Sequence, residues 1–292
     1  MNRMHLHANK IQSKNFHGES LKRANFQGMD LDGADFSNAD LESANFQGAR
    51  LQGANFNQAN LENANLDDCN LDRARFEKAQ LSGALFQRAI LRDAMMNDAT
   101  LQYAIFYEAK AEGIQMNNAN LRGANFHSAI LSCGQFLEAD LRGVVFVKAE
   151  LYDVNFSHAD LTGSFLDGAD ASYACFDGTV LQGASLKECT LDGAEFENAD
   201  IQDTLLFNRK DAVAFLLRMQ EALRQDIVKD EESAGENPFL LLRWARSYLS
   251  HLHESEDACK NAIQRIWPLA TTAGMSREKV LFYLDALLKK EA

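Results

Sequence analysis

Several things are scarce in this 292-residue sequence, and each scarcity excludes a class of protein. No apolar run approaches the roughly 18 residues that a membrane span needs. The stretch Met1 to Lys10 has no apolar signal segment. These absences predict no membrane insertion and a cytoplasmic protein, with secretion as an effector by other machinery as the alternative. Cysteine is sparse, and Cys69, Cys133, Cys175, Cys189 and Cys259 are spaced as neither a CxxC metal pair nor a disulfide framework. Cys69 and Cys189 stand where Ala usually stands, which reads as small core residues. Walker, GxSxG and HExxH motifs are missing. The pairs His5/His7 and His251/His253 lack acidic or Cys partners at ligand spacing and read as solvent-facing. We expect no catalytic residue, no cofactor and no metal.

Basic residues are also short in one part of the chain. Net charge is -13; residues 209–292 carry 13 charges of each sign, so the whole excess lies before them, with 16 basic against 29 acidic residues. That distribution opposes direct binding to nucleic acid, whose phosphates require Lys and Arg clusters. The partner class left is another protein.

What the sequence has in abundance is a beat of five. From Leu6 to Leu206 a bulky apolar residue returns every fifth position, as at Phe26, Leu31, Phe36, Leu41, Phe46, Leu51, Phe56 and Leu61. A small residue stands two places before most of them. This period fits neither a helix nor an alternating strand. Gly, Asn, Asp and Ser fill the intervening places, as turns require, and a chain turning every five residues closes a square in four units. Phe gathers at positions ending in 6 and Leu at positions ending in 1, so four units per coil put Phe on one pair of opposite faces and Leu on the other. Ala111 and Ala171 break the bulky pattern on one face, and Ile114, at a normally small site, could fill the space beside Ala111. Asn9, Lys14 and Glu19 at normally small sites suggest a polar terminal cap.

Units such as Ala24-Asn25-Phe26, Ala34-Asp35-Phe36 and Ala39-Asp40-Leu41 resemble the A-(D/N)-(L/F)-x-x repeat of the pentapeptide-repeat family. The resemblance implies a mainly β fold, a right-handed quadrilateral parallel β-helix with the central and small residues inward and the other three outward. About 40 units would then make about ten coils and a rod of roughly 50 Å. Quinolone-protecting members typically carry loops projecting from the coils; here the repeat runs without insertion.

Past Leu206 the spacing becomes helical. Ala212, Val213, Phe215, Leu216, Met219, Leu223 and Ile227 recur at threes and fours over Arg209 to Asp230. Asn237-Pro238, Ser255 and Ser276 can start three more helices. We therefore divide the chain into a β-helix over 1–208 and a small all-α domain of about four helices over 209–292. The helices would cap the open end of the rod, or recruit a partner or self-associate through Trp244, Tyr248, Trp267 and Phe282.

One outward column breaks its own rule. Just before the central residue on one face stand Asn25, Asn45, Asn65, Leu85, Ile105, Asn125, Val145, Phe165, Ser185 and Leu205. Leu85, Ile105, Val145 and Phe165, with Tyr107 and Val147 beside them, would form an apolar strip on a polar, acidic wall. It reads as a partner-docking surface, a homodimer contact, or the resting place of a folded-back helix. A second column holds Asp40, Asp140, Asp160 and Asp200. The family's DNA-mimicking members bind DNA gyrase, and by that resemblance these carboxylates could stand in for phosphates. Those members dimerise through a C-terminal helix much smaller than the segment here. The leading expectation is a non-enzymatic protein-protein interaction scaffold, possible in bacteria as an effector or adaptor. The alternatives are a DNA-mimicking modulator of gyrase or topoisomerase, and an enzyme with its site in the helical domain.

Overall fold

The beat of five becomes a coil of twenty. In the computed structural model, which describes residues 13–201 and 204–206, Asn15 pairs in parallel with Asp35, Ser20 with Asp40 and Asn25 with Asn45, and so on to Val180 with Asp200. Only Ser185–Leu186 and Leu205–Leu206 lengthen the pairing to two residues. Four such pairing lines run along the molecule, one per side, and the result is a four-sided parallel β-helix. The helical domain expected over 209–292, the positions Leu6 and Ile11, and both His-x-His pairs lie outside the described residues.

The unit Asn45 to Ala49 shows where the backbone donors go. Asn45 N–H donates to the Ala24 carbonyl at 2.9 Å, Phe46 N–H to Asn65 at 2.7 Å and Gly48 N–H to Asp67 at 2.9 Å. Ala49 N–H closes the turn on the Phe46 carbonyl at 2.8 Å. The fifth donor, Gln47 N–H, has no backbone acceptor and donates to Asn45 Oδ1 at 3.0 Å. All five are satisfied, as a buried or half-buried backbone requires. The preference for Asn or Asp before the central residue thus has a local cause: its side chain completes the turn. The same bond recurs at Asn55, Asn60, Asn65, Asn155 and Asp170.

The third turn residue has positive φ in every unit from Gly18 to Asn198. That is the requirement of a type II turn, and it explains the Gly, Asn and Asp that recur there.

Inside, the bulky and small residues are almost completely buried. Phe16, Phe36, Phe56 and Phe76 stack in one ladder, with centroids 4.6, 5.0 and 4.8 Å apart. Phe26 and Phe46 stack on the opposite side at 4.7 Å, and rings of the two ladders meet edge to face, as Phe26 and Phe36 do at 5.4 Å. Stacking along the axis with edge contacts across it satisfies the ring quadrupoles in both directions. Leu holds the other two sides. At the irregular site, Ile114 is buried, and its Cγ2 lies 3.5 Å from where a Cβ on Gly134 would be. Ile114 therefore leans into the next coil, where Gly134 replaces the usual Ala. At the N-terminal end of the described residues, Lys14 Nζ reaches Asp30 at 2.9 Å and the Asp32 carbonyl at 3.0 Å.

Polar side chains at small inward sites follow one rule. Cys69 Sγ, Thr179 Oγ1 and Thr204 Oγ1 each donate to the carbonyl 23 residues earlier, at Phe46, Phe156 and Leu181. Burial pushes the Cys69 and Cys189 thiols up to about 12, so both are inert core groups at neutral pH. Ser164 and Cys189 break the rule: the Ser164 hydroxyl is buried without a partner, and Cys189 Sγ donates to the Thr190 carbonyl at 3.7 Å.

Candidate protein-binding face

The pairing register fixes the order of the apolar strip. Leu85 pairs with Ile105, Ile105 with Asn125, Asn125 with Val145, and Val145 with Phe165. The strip is therefore two apolar steps separated by the Asn125 coil. Phe165 is 47% exposed, while Leu85, Ile105, Tyr107, Val145 and Val147 are half-buried.

The flank closes the gap at Asn125. Tyr107, His127 and Val147 occupy the same turn position in successive coils, and the rings of Tyr107 and His127 stack at 5.5 Å and 11°. Asn125 holds the His127 backbone by accepting its N–H at 2.9 Å. His127 is the member of this face that the sequence reading missed; its place one coil after Tyr107 was the available signal. Glu108, accepting a hydrogen bond from the Tyr107 hydroxyl, pushes that phenol above its ordinary range and keeps it a donor.

On the other flank lies an edge of unusual bareness. The corner residues beside Asn125, Val145, Phe165 and Ser185 are Gly123, Gly143, Gly163 and Gly183, all with positive φ. Tyr103, 69% exposed, lies across Gly123, where a Cβ would stand 2.8 Å from its ring. At Gly143, Gly163 and Gly183 an added Cβ would meet nothing within 4 Å. The corner positions next to Val145 and Phe165 thus carry no side chain of their own.

The apolar residues also forgo the turn acceptor that Asn supplies. For Leu85 the coil before compensates, since Asp67 Oδ1 accepts the Gln87 N–H at 2.8 Å. Among the described residues no side-chain acceptor serves the Tyr107, Val147 or Asp167 N–H.

The acidic column is arranged differently. Asp40 and Asp140 are separated by Asn60, Gln80, Thr100 and Asn120, and Val180 stands between Asp160 and Asp200, so only Asp140 and Asp160 are neighbours. Arg142 pairs with Asp140 and reaches Asp160 at 3.5 Å; Lys22 lies 3.3 Å from Asp40. The hydrogen bond from Arg142 holds the Asp140 carboxyl below the usual range. Duplex DNA carries a charge about every 3.4 Å along each strand. A column with one adjacent pair, itself countered by Arg142, has neither that density nor that freedom.

Among the described residues no group of three or more His, Cys, Asp or Glu could hold a metal ion, and no helix is long and apolar enough to cross a membrane.

A family model agrees with the five-residue repeat. Pentapeptide repeats match in eight copies over residues 20–58, 54–93, 79–118, 112–147, 149–187 and 176–206. Among solved structures, HetL from the cyanobacterium Nostoc sp., a pentapeptide repeat protein involved in heterocyst differentiation regulation, is 26% identical. The alignment covers 67% of this chain and 93% of HetL, with a TM-score of 0.35. A form of QnrB1, a plasmid-mediated fluoroquinolone resistance protein, is 21% identical over 70% of this chain and 96% of its own, with a TM-score of 0.45. A pentapeptide repeat protein of the Arabidopsis thaliana thylakoid lumen is 27% identical over 40% of this chain and 68% of its own, with a TM-score of 0.28. No curated protein matches the chain.

Proposed function

From the premise that the chain belongs to the pentapeptide repeat family, we propose that it is a non-enzymatic scaffold that binds another protein through the face built on Leu85, Ile105, Val145 and Phe165. The observation that carries this reading is a half-exposed apolar line, continued at its flank by Tyr107, His127 and Val147, on a wall that holds Asn at positions 25, 45, 65 and 125. A large apolar group left on a polar wall is the ordinary mark of an interaction surface. The reading includes a right-handed rod of about ten coils at ~4.8 Å each, a C-terminal unit over 209–292 and a cytoplasmic location, with secretion as an effector the alternative. Nothing in the acidic column favours DNA mimicry over this reading, and an unaltered supercoiling activity of gyrase under a large molar excess of the protein would agree. The second alternative is an enzyme with its site in 209–292.

The test is affinity capture with the full chain and with a Val145→Asp, Phe165→Asp variant. Both side chains face outward, so the variant keeps its core, and an unfolding midpoint no lower than that of the wild type checks this. Loss of a specific partner from the variant supports the proposal; an unchanged set of captured proteins and an unchanged oligomeric state would remove it.

A further inference from the structure

Asn125 sits midway along the strip, with Ile105 and Val145 one coil away on either side and Leu85 and Phe165 two coils away. We propose that a second copy of this chain docks antiparallel on this face, around a two-fold axis that crosses the rod at Asn125. The inference rests on reading the face as a protein-binding surface, and it names the protein that binds there.

A two-fold axis brings each residue to the mirrored place on the other copy. Ile105 then lies on Val145 of the second copy, Leu85 on its Phe165 and Asn125 on its Asn125, so apolar steps meet apolar steps. The turn flank meets itself in the same register. Glu108 and Lys148, the exposed residues after Tyr107 and Val147, come opposite each other once on each side of the axis. Among the described residues neither has an ion-pair partner in its own molecule. Exposed Arg88 faces the bare Gly168, beside Asp167, and Lys187 faces Asp67. Asp68, which comes opposite Glu188, is already paired with Arg88 at 2.8 Å. On the other flank Tyr103, 69% exposed, falls against Gly143 of the second copy, a corner where an added Cβ would meet nothing within 4 Å.

Charge selects this register among its neighbours. Sliding the second copy by one coil sets Glu108 against Gly168 beside Asp167 in one direction, and Arg88 against Lys148 in the other. Like charges brought together oppose docking. A parallel arrangement lays the charged flank on the corner of Tyr103, Gly123 and Gly143, and leaves Glu108 and Lys148 unmatched.

Sedimentation velocity on the full chain tests the proposal, run up to about 100 µM because an interface of one narrow face belongs to the weak, transient class. The wild type should dimerise reversibly, and the Val145→Asp, Phe165→Asp variant should not. Glu108→Lys and Lys148→Glu should each weaken association about tenfold, since each change acts twice across the axis. An equimolar mixture of these two variants should dimerise as the wild type does, because both sides of the axis again hold a cation opposite a carboxylate; that recovery also excludes misfolding. A mixture no tighter than the separate variants would overturn the proposal, as would a dimer that both reversals and the double variant leave untouched. If the wild type stays monomeric while the double variant loses a captured protein, the second copy fails and the scaffold reading stands. A monomeric wild type with unchanged capture would sink both.

Discussion

One pairing line contains two kinds of wall. From Asn25 to Asn65 each outward residue accepts the N–H of its own turn, at Gln27, Gln47 and Asp67. From Leu85 to Phe165 only Asn125 does so. The Phe ladder behind the line continues through both, with Phe86, Phe106 and Phe126 stacked at 4.7 and 4.5 Å. The core therefore does not require Asn on the outside; the turn does. Ile105, Val145 and Phe165 each give up a net hydrogen bond of about 0.5–1.5 kcal/mol, whereas Leu85 is spared because Asp67 accepts the Gln87 N–H. A gain elsewhere is what the proposed partner surface would supply.

The largest test asks whether the cores of the two stretches are as alike as the ladder suggests. Phe36 stacks on Phe16 and Phe56 and meets the edges of Phe26 and Phe46 at 5.4 Å each. Phe106 has its two stacking neighbours, while Met96 and Met116 stand in the opposite ladder of the adjoining coils. Both Phe→Ala changes should cost about 3–5 kcal/mol. Phe36→Ala should cost about 1 kcal/mol more, because two edge contacts are lost and Met contacts replace only part of such a gain. Urea unfolding of both variants measures the difference, and equal costs would make the edge contacts energetically silent.

Next comes the small inward column, regular at Ala34, Ala54, Ala74 and Ala94 and irregular at Ile114 and Gly134. A Cβ on Gly134 would lie 2.8 Å from the Leu131 carbonyl oxygen and 3.1 Å from Phe136 Cε2. Gly134→Ala should destabilise by about 1–3 kcal/mol, the usual range for overpacking. Combined with Ile114→Ala it should cost less than the two single changes added, a coupling that a double-mutant cycle reads directly.

The walls can then be exchanged. Asn45→Leu should lose about 1 kcal/mol with its turn acceptor, and Val145→Asn should gain a similar amount. Thermal unfolding follows both, and a destabilised Val145→Asn would show that the apolar strip supports the fold itself. On the inner side of the same stretch, Ser164→Ala should raise stability by about 1 kcal/mol, since its buried hydroxyl has no partner. Thr179→Val should lower stability by about 1 kcal/mol, since its hydroxyl donates to Phe156 at 2.8 Å.

Much of this comparison is legible in the sequence because the period is exact. The period of five fixes which residues share a column, and the family resemblance says which two of each five turn inward; together they give the inward Phe and Leu positions and the membership of the strip. What register cannot give is side-chain direction. It puts Tyr107 and His127 in neighbouring coils but says nothing of the ring stack. It puts Arg142 beside Asp140 and Asp160 but does not say that one guanidinium reaches both. It offers Ile114 as a filler for Ala111 but does not point to Gly134 in the next coil, toward which Ile114 leans. Residues 209–292 stayed legible only as helical spacing, since the repeat that fixes everything before them has stopped.

The smallest effect is also the one with opposite signs at two carboxylates, Asp140 of the acidic column and Asp67 beside the Asn wall. Hydrogen bonding from Arg142 lowers the folded Asp140 carboxyl. Its stabilisation is present above the unfolded value near 3.9 and is lost as pH falls through the folded value. Asp67 goes the other way: desolvation raises it, although the Gln87 N–H bond opposes the rise. Its ionised form therefore weakens the fold above the raised value, and that loss is recovered as pH falls through the raised value toward the unfolded one. Asp67→Asn keeps an acceptor for Gln87 and removes the charge, so it should be slightly more stable than wild type at neutral pH, with the advantage fading in acid. Asp140→Asn should be slightly less stable at neutral pH, with the deficit fading in acid. Unfolding midpoints across this range separate the two, and parallel curves would mean that neither carboxylate differs between the folded and unfolded chain.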